Sequence, residues 1–550
     1  MSIVRMRKSM KSWGHYLMFI VAVVFIIGFI GLGLSGSRSQ KSDVGTGLVA
    51  KVNGDKIDRK TYELHVQREI ERLEDERGMG MLGPLEEAQL RAQIFDQTVE
   101  QMLLVQAAKR ERVKVSRGET RRRIEEYVDQ QVKQWREMLL AGMKGPKTDQ
   151  AFETQLQRRQ PGMTIRKLRS DLRKSLDVEQ IREQLLIQKL GEKLKQMVKT
   201  DEASVRASFD EIRFKQITVG SQRRSMAQAE QRAKELAEKA AKGSDFSALA
   251  RQYSEDQYKA AGGDRGYFLR RAYIEPDLAD EVFKLKTGEV SKPITTTQGF
   301  VIAKVEAKRS ALPPDFNEPK KKKAYMDAYA AQEAERVQAK FFDEVHKTAK
   351  IQVYDSELKA HTIIKDLFSA MALGSLVERK VKIESAIKEY RRALLAANDQ
   401  PNAMARAYAQ IAYLYTVLRS PALFSPTKEE DAKYRAEAKK VLEEALKWSE
   451  SNDLRMMLAD LQIEEGQFDK AVENLGVVYD NAFEDANVHS QLQAKYEKMK
   501  QGGYGKVDPL IARERQWLDD YKKRMQAEQP PQAPSGVPTG PIPQAPPPGG

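Results

Sequence analysis

The chain has 550 residues, 41% of them hydrophobic and 31% charged, so it is too long for one ordinary domain of roughly 100–200 residues and too polar for a polytopic membrane protein. It contains no cysteine, which excludes disulfides, thiolate metal sites and a cysteine nucleophile, and is compatible with an oxidising compartment. Lysine plus arginine number 93 against 79 aspartate plus glutamate, a net charge of +14, but the two signs are interleaved as on solvated helix faces, and no nucleic-acid partner is expected.

Residues 1–15 form a basic segment in which Arg5, Arg7, Lys8 and Lys11 precede an uncharged run from Tyr16 to Leu34. As a helix rising about 1.5 Å per residue, that run spans roughly 28 Å, against a hydrocarbon thickness of about 30 Å. A transmembrane helix is therefore expected over 16–34, single-pass in the cytoplasmic (inner) membrane. The basic N-terminus is then cytoplasmic and the bulk of the chain periplasmic or otherwise extracytoplasmic. The competing expectation is a cleaved signal peptide, for which Gly33-Leu34-Ser35 offers a small-x-small site, although the run exceeds the usual ~7–15 residues of a signal core. Residues 35–46 are small and polar, a linker.

In the region 47–200, Asn53-Gly54 separates two short apolar stretches and predicts a tight hairpin, because both positions tolerate positive φ. Beyond it Leu90, Ile94, Thr98, Met102 and Val105 recur at helical spacing, as do Leu168, Leu172, Leu185, Leu190 and Leu194. Residues 201–310 change character. They hold an apolar stretch at Phe214–Val219, a helix with Ala229, Ala233, Leu236 and Ala240 on one face, the paired glycines Gly262 and Gly263, and a closing strand in GFVIAKVEA. Within 311–365 a stripe of Ala331, Ala334, Val337, Phe341 and Val345 predicts a further helix over Lys320–Lys347. Residues 366–528 show a repeat-like rhythm, Ala386, Tyr390, Ala393 and Pro401, then Leu458, Ala459, Gly466, Phe468, Ala471 and Leu475. Residues 529–550 are rich in proline and glycine, cannot bury a core, and are expected to be disordered.

Three resemblances follow from these residues. VAKVNGDKIDRKTY with the helix LRAQIFDQTVEQMLLVQAAKRERVKVS resembles the N-terminal region of SurA-type and PpiD-type periplasmic chaperones, which implies a helical cradle for unfolded polypeptides. The segment 214–308, with DFSALARQYSED, GGDRGYF, DEVFKLKTGEVSKPI and TTTQGF, resembles the parvulin domain, a small antiparallel sheet surrounded by helices. In such chaperones a helix after the isomerase returns to complete the chaperone module, so 311–365 is expected to do so. The offsets in 366–528 resemble tetratricopeptide helix pairs, a plain helical bundle being the alternative. The expected fold is mainly α with an inserted α+β parvulin domain, an N-terminal transmembrane helix, a helical chaperone region and C-terminal TPR-like α-hairpins.

No P-loop, dinucleotide fingerprint, zinc-protease helix or serine-hydrolase elbow occurs. His15, His65, His346, His361 and His489 stand singly, so no metal and no cofactor is expected. Prolyl isomerisation needs neither, because it breaks no covalent bond and its barrier, about 18–20 kcal/mol, is lost amide resonance. The parvulin resemblance implies a hydrophobic proline cup beside two histidines, a cysteine or aspartate, and a hydroxyl. By position Asp256 matches the acid, Thr296 the hydroxyl, and Phe268 and Leu278 the cup, while a cup methionine falls at Tyr273 or Ile274. Both histidines are replaced, the first by Gln216 and the second by Val301, and Arg265 stands where a cup leucine is usual. Catalytic candidates are thus Asp256, Thr296 and Gln216, and substrate-binding candidates Phe268, Leu278, Ile274, Tyr273 and Val301. Asp256 also reads as a solvated loop carboxylate or helix cap, and Thr296 as a strand or turn residue without a catalytic role.

The function expected from these parts is a membrane-anchored foldase. It would bind unfolded or proline-containing polypeptides, turn over weakly because both family histidines are lost, and receive a protein partner on its TPR-like region. The alternatives are an inactive holdase and a TPR-type scaffold for a membrane complex.

Overall fold

The structure, a computed structural model, describes residues 47–77, 82–141, 146–198, 200–221, 224–269, 276–296, 299–369, 376–482 and 485–528. The expected anchor 16–34 with its flanks and the tail 529–550 lie outside the described residues. Among the described residues no helix is long and apolar enough to cross a membrane. The chain divides into two units, Met1–Glu71 with Leu90–Ala386, and Arg72–Gln89 with Ile387–Gly550.

The first unit opens with the hairpin of β1 (Leu48–Val52) and β2 (Asp55–Asp58). Its two-residue turn has φ 51° at Asn53 and 98° at Gly54, the double positive φ that a tight hairpin requires. Helices α1 (Arg59–Arg77) and α2 (Pro84–Arg110), whose residues between Arg72 and Gln89 belong to the second unit, are followed by α3 (Arg117–Leu139), α4 (Asp149–Arg159), α5 (Ile165–Ser175), α6 (Val178–Gln196) and α7 (Glu202–Ala207). The later leucine series is carried by two helices, because the Asp177 carboxylate accepts the amide N–H groups of Glu179 and Gln180 and starts α6 afresh.

An antiparallel sheet then forms from β3 (Asp210–Gly220), β4 (Asp264–Leu269), β5 (Ile294–Thr296) and β6 (Gly299–Ser310), in the order β4-β3-β6-β5. Between the strands lie α8 (Met226–Ala241), α9 (Phe246–Tyr253) and α10 (Pro276–Lys284). Strand alternation sends successive side chains to opposite faces. Ile217, Val219, Phe300 and Ile302 pack on Ala229, Ala233 and Leu236 of α8 and on Phe246 and Leu249 of α9. Phe214, Val301, Ala303 and Val305 face the other way, against Leu278 and Val282 of α10.

Past the sheet the chain returns through α11 (Pro319–Thr348), β7 (Ile351–Val353) and α12 (Ser356–Ser369). Strand β7 pairs with β1, and Val345 and Leu358 join the core that contains Val49, Phe95, Leu103 and Leu190. The sheet is thereby inserted between two halves of one helical core.

In the second unit and the segment leading to it are α13 (Leu376–Ala396), α14 (Pro401–Leu418), α15 (Lys428–Ala445), α16 (Asn452–Glu464), α17 (Phe468–Asp480), α18 (Ala486–Gln501) and α19 (Asp508–Glu528). Helices α14 and α15, α16 and α17, and α18 and α19 pack as consecutive pairs. Pro401 opens α14, where its missing N–H is harmless, and Gly466 at φ 71° turns α16 into α17. Leu458, Ala459, Ala471 and Leu475 are buried.

His346 on α11 meets Glu100 of α2 at 2.7 Å. That hydrogen bond raises its pKa above the ordinary 6.5 although burial opposes it. A raised folded pKa contributes stability fully below about pH 6.5 and loses it as pH rises through the folded value. The imidazole is about half exposed, so screening limits the effect to at most ~1 kcal/mol. His346→Gln is expected to weaken hydrogen-exchange protection of α11 more at about pH 5.5 than at about pH 8.5. Equal losses at the two values would contradict this coupling.

Candidate active site

The site lies on the sheet face that carries Phe214, Gln216 and Thr218. Residues two apart on β3 share this face, and opposite them on β6 stand Ala303 beside Gln216 and Val301 beside Thr218. The apolar half comprises Phe214, Leu278, Ile294, Val301 and Ala303 with half-buried Phe268. Phe268 and Phe214 place their ring centroids 5.8 Å apart.

The polar half is centred on Gln216, only 4% exposed. Its amide nitrogen donates to Asp256 Oδ2 and, at 3.1 Å, to Thr218 Oγ1. Thr218, itself buried, donates its hydroxyl to the same Asp256 oxygen. The other carboxylate oxygen accepts the Tyr258 N–H at 2.9 Å. Arg265 Nη1 donates to the amide oxygen of Gln216 at 2.8 Å. A donor-only guanidinium on one side and a carboxylate on the other leave only one sensible orientation of the glutamine amide.

The loop bearing Asp256 is fixed to β3 by its backbone. Glu255 donates its N–H to Thr218 O at 2.9 Å, Thr218 donates to Ser254 Oγ at 3.0 Å, and Gln216 donates to Gly263 O at 2.9 Å. Gly263 has φ +83°, and a Cβ there would fall 2.3 Å from Gln216 O, so the close approach requires glycine. Burial would raise the Glu255 carboxyl, but Arg224 and the Gly220 N–H outweigh it and hold its pKa below the ordinary value.

Arg265 stands beside three aromatic faces, its Cζ 4.6 Å from the Tyr258 centroid, 4.9 Å from Phe268 and 5.8 Å from Phe214. The sequence placed this charge where a cup leucine is usual. In the structure Gln216 holds it and in turn holds Asp256.

Of the sequence candidates, Gln216 and Asp256 come together directly, and Phe268, Leu278 and Val301 form the adjoining apolar wall. Thr296 is one same-face row beyond Thr218, paired with Gly299, and its hydroxyl donates to Gly299 O at 3.2 Å, as a turn-closing residue does. Tyr273 and Ile274 lie outside the described residues. Thr218 and Tyr258 were not foreseen. The i, i+2 alternation from Gln216 points to Thr218, whereas nothing local marks Tyr258, whose contribution is a backbone N–H and a ring face.

Comparison with known proteins places this geometry. Residues 211–307 match the PPIC-type PPIase domain family and residues 3–191 the SurA-like N-terminal domain family. Foldase protein PrsA of Caldanaerobacter subterraneus subsp. tengcongensis is 28% identical over 353 residues, 62% of this chain and 97% of that protein. Foldase protein PrsA of Geobacillus kaustophilus is 31% identical over 201 residues, 33% of this chain and 70% of that protein. The chain belongs to the PrsA foldase family. Another member, foldase protein PrsA of Bacillus subtilis, is 31% identical over 188 residues, 33% of this chain and 58% of that protein. This PrsA-type foldase therefore combines a SurA-like N-terminal domain with a parvulin-type isomerase domain, and helices α13–α19 lie beyond both matched ranges.

Leu278 is 1% exposed and Phe268 half-buried, so the two cup candidates differ in structural weight. Leu278→Ala is expected to destabilise the sheet domain by about 2–5 kcal/mol, and Phe268→Ala by less. Hydrogen exchange of β3 and β6 amides measures both, and a larger loss for Phe268→Ala would contradict the burial order.

Proposed function

We propose that this foldase is anchored in the cytoplasmic membrane by residues 16–34, works on the extracytoplasmic side, and couples polypeptide holding to slow turnover of X-Pro bonds. The observation that carries the catalytic part is the glutamine-centred polar cluster set against an apolar wall on one sheet face. Phe268, Leu278 and Val301 would grip the proline ring, with Tyr273 and Ile274 completing the cup. Gln216 and Asp256 would supply the polar side, with Thr296 at its far end. Val301 cannot hydrogen-bond, which is why turnover is expected to be low.

Polypeptide holding is assigned to 47–200 together with the return 311–365, the isomerase domain occupying 201–310. Along α11 only Ala334 and Val345 of the apolar stripe are buried, while Val337 and Phe341 are half-buried and Ala331 is exposed. Met197 and Val178 of the same unit are 60% and 54% exposed. Such incompletely covered apolar faces suit transient contact with unfolded chains. The anchor rests on the basic flank and the uncharged run 16–34. Helices of 366–528 are read as TPR-like pairs that receive a protein partner, supported by the small residues Ala459 and Ala471 at their buried seams.

The deciding experiment measures cis–trans exchange of a proline tetrapeptide by NMR with the full chain in nanodiscs. A rate above the uncatalysed one is expected, and it should vary less than about twofold between pH 6 and 8, because no described residue of the site is a histidine. Val301 favours a second reading, a holdase whose parvulin domain only binds peptide. Aggregation suppression with a rate equal to the uncatalysed one would establish it and reject the isomerase.

A further inference from the structure

The return segment leaves one sheet edge open. In the order β2-β1-β7 the outer strands are β2 and β7, and among the described residues no strand lies on the far side of β7. Across the ladder Val52 stands opposite Ile351, Lys51 opposite Gln352 and Ala50 opposite Val353. At its two ends Asn53 donates its N–H to Lys350 O at 2.9 Å and Tyr354 donates its N–H to Val49 O at 2.9 Å. Bonded and non-bonded pairs alternate along an antiparallel ladder. Lys350, Gln352 and Tyr354 therefore bond toward β1, and the N–H and C=O groups of Ile351 and Val353 point outward. We propose that this edge binds unfolded polypeptide by strand addition, taking an extended segment with apolar side chains at alternate positions. This rests on the holding role assigned above to 47–200 with 311–365 and deepens it.

An exposed edge is normally guarded by charge, proline or a bulge. The opposite edge is guarded in this way, since Asp55, Lys56 and Asp58 make up three of the four residues of β2. Strand β7 carries neither charge nor proline. Ile351 and Tyr354 at its ends are 40% and 51% exposed, the reverse of a protected edge.

Two outward N–H and two outward C=O groups complement the backbone of any extended chain, so main-chain bonds supply affinity without reading sequence. Side chains then set the preference. Ile351 and Val353 share the face of Val52 and Ala50, on which Val353 packs against the helical core. A polypeptide residue bonded to Ile351 or Val353 puts its side chain on that same face, and its neighbours fall on the face of Gln352 and Tyr354. Alternating apolar and polar side chains fit both faces. The edge is short, so each contact is worth only a few net hydrogen bonds and stays reversible, as transient holding requires.

The test uses the full chain in nanodiscs and a fluorescent peptide of alternating threonine and valine, which lacks proline and so does not address the candidate isomerase site. With the valines on the apolar face, their N–H groups are the ones that bond to β7. N-methylation at the valines is expected to raise Kd about fivefold or more relative to N-methylation at the threonines. Ile351→Pro removes one outward N–H and no bond to β1, and should raise Kd for the parent peptide about threefold or more. By NMR, the amides of Ile351 and Val353 should exchange fast and that of Gln352 slowly in the free chain, and all three slowly with peptide bound. Equal Kd values for the two methylated peptides, with aggregation of denatured lysozyme still suppressed, would overturn strand addition and leave the holding role standing. Slow exchange at Ile351 and Val353 without peptide would also overturn it, because the edge would already be paired within this chain or with a second copy. Absence of both peptide binding and aggregation suppression would overturn the edge and the holding role together.

Discussion

A buried amide has to find partners at both ends, or each unmet group costs about 1–3 kcal/mol. Gln216 meets that constraint with Arg265 on its oxygen and with Asp256 and Thr218 on its nitrogen. Much of the domain's local structure is arranged around this requirement. The loop from Ser254 to Gly263 is bonded to β3 at both ends, and the absence of a Cβ at Gly263 brings its backbone against Gln216. An arginine in the cup, which in isolation reads as a defect, becomes the group that fixes the glutamine's orientation.

The sequence carried the local parts of this arrangement and missed those that depend on packing across the sheet. The Asn53-Gly54 turn was readable because double positive φ is confined to few residue types. Gln216 and Asp256 were expected at the site by position, and the structure brings their side chains together. Thr218 escaped because its importance comes from sharing a face with Gln216, and a threonine in a strand is otherwise unremarked. The setting of Arg265 depends on Phe214, Tyr258 and Phe268, which come from different segments, so neither composition nor spacing reveals the cage. Leu278, expected in the cup, packs in the apolar cluster, and its near-complete burial follows from the docking of α10 and makes it a core residue.

The inserted topology separates the two activities assigned to this unit. The core around Val49, Phe95, Leu190 and Val345 shares no residue with the clusters on either face of the isomerase sheet. Long-range contacts close it: Asn53 exchanges hydrogen bonds with Lys350, and Arg59 pairs with Asp355 at 2.8 Å. A sheet domain held between two such halves can change its side chains, histidine to glutamine or leucine to arginine, without altering the helical core. That independence gives a physical reason why a SurA-like framework can carry a parvulin-type domain whose candidate site has an unusual composition.

The central claim is that Gln216 couples Arg265 to the rest of the polar cluster. A double-mutant cycle on kcat/KM with Thr218→Val and Arg265→Leu tests it most directly, because the two residues bond to opposite ends of the same amide. The account predicts a loss in the double variant that falls short of the sum of the single losses by about 0.5 kcal/mol or more. Losses that add within about 0.3 kcal/mol would contradict it, and would leave Arg265 and Thr218 as independent neighbours.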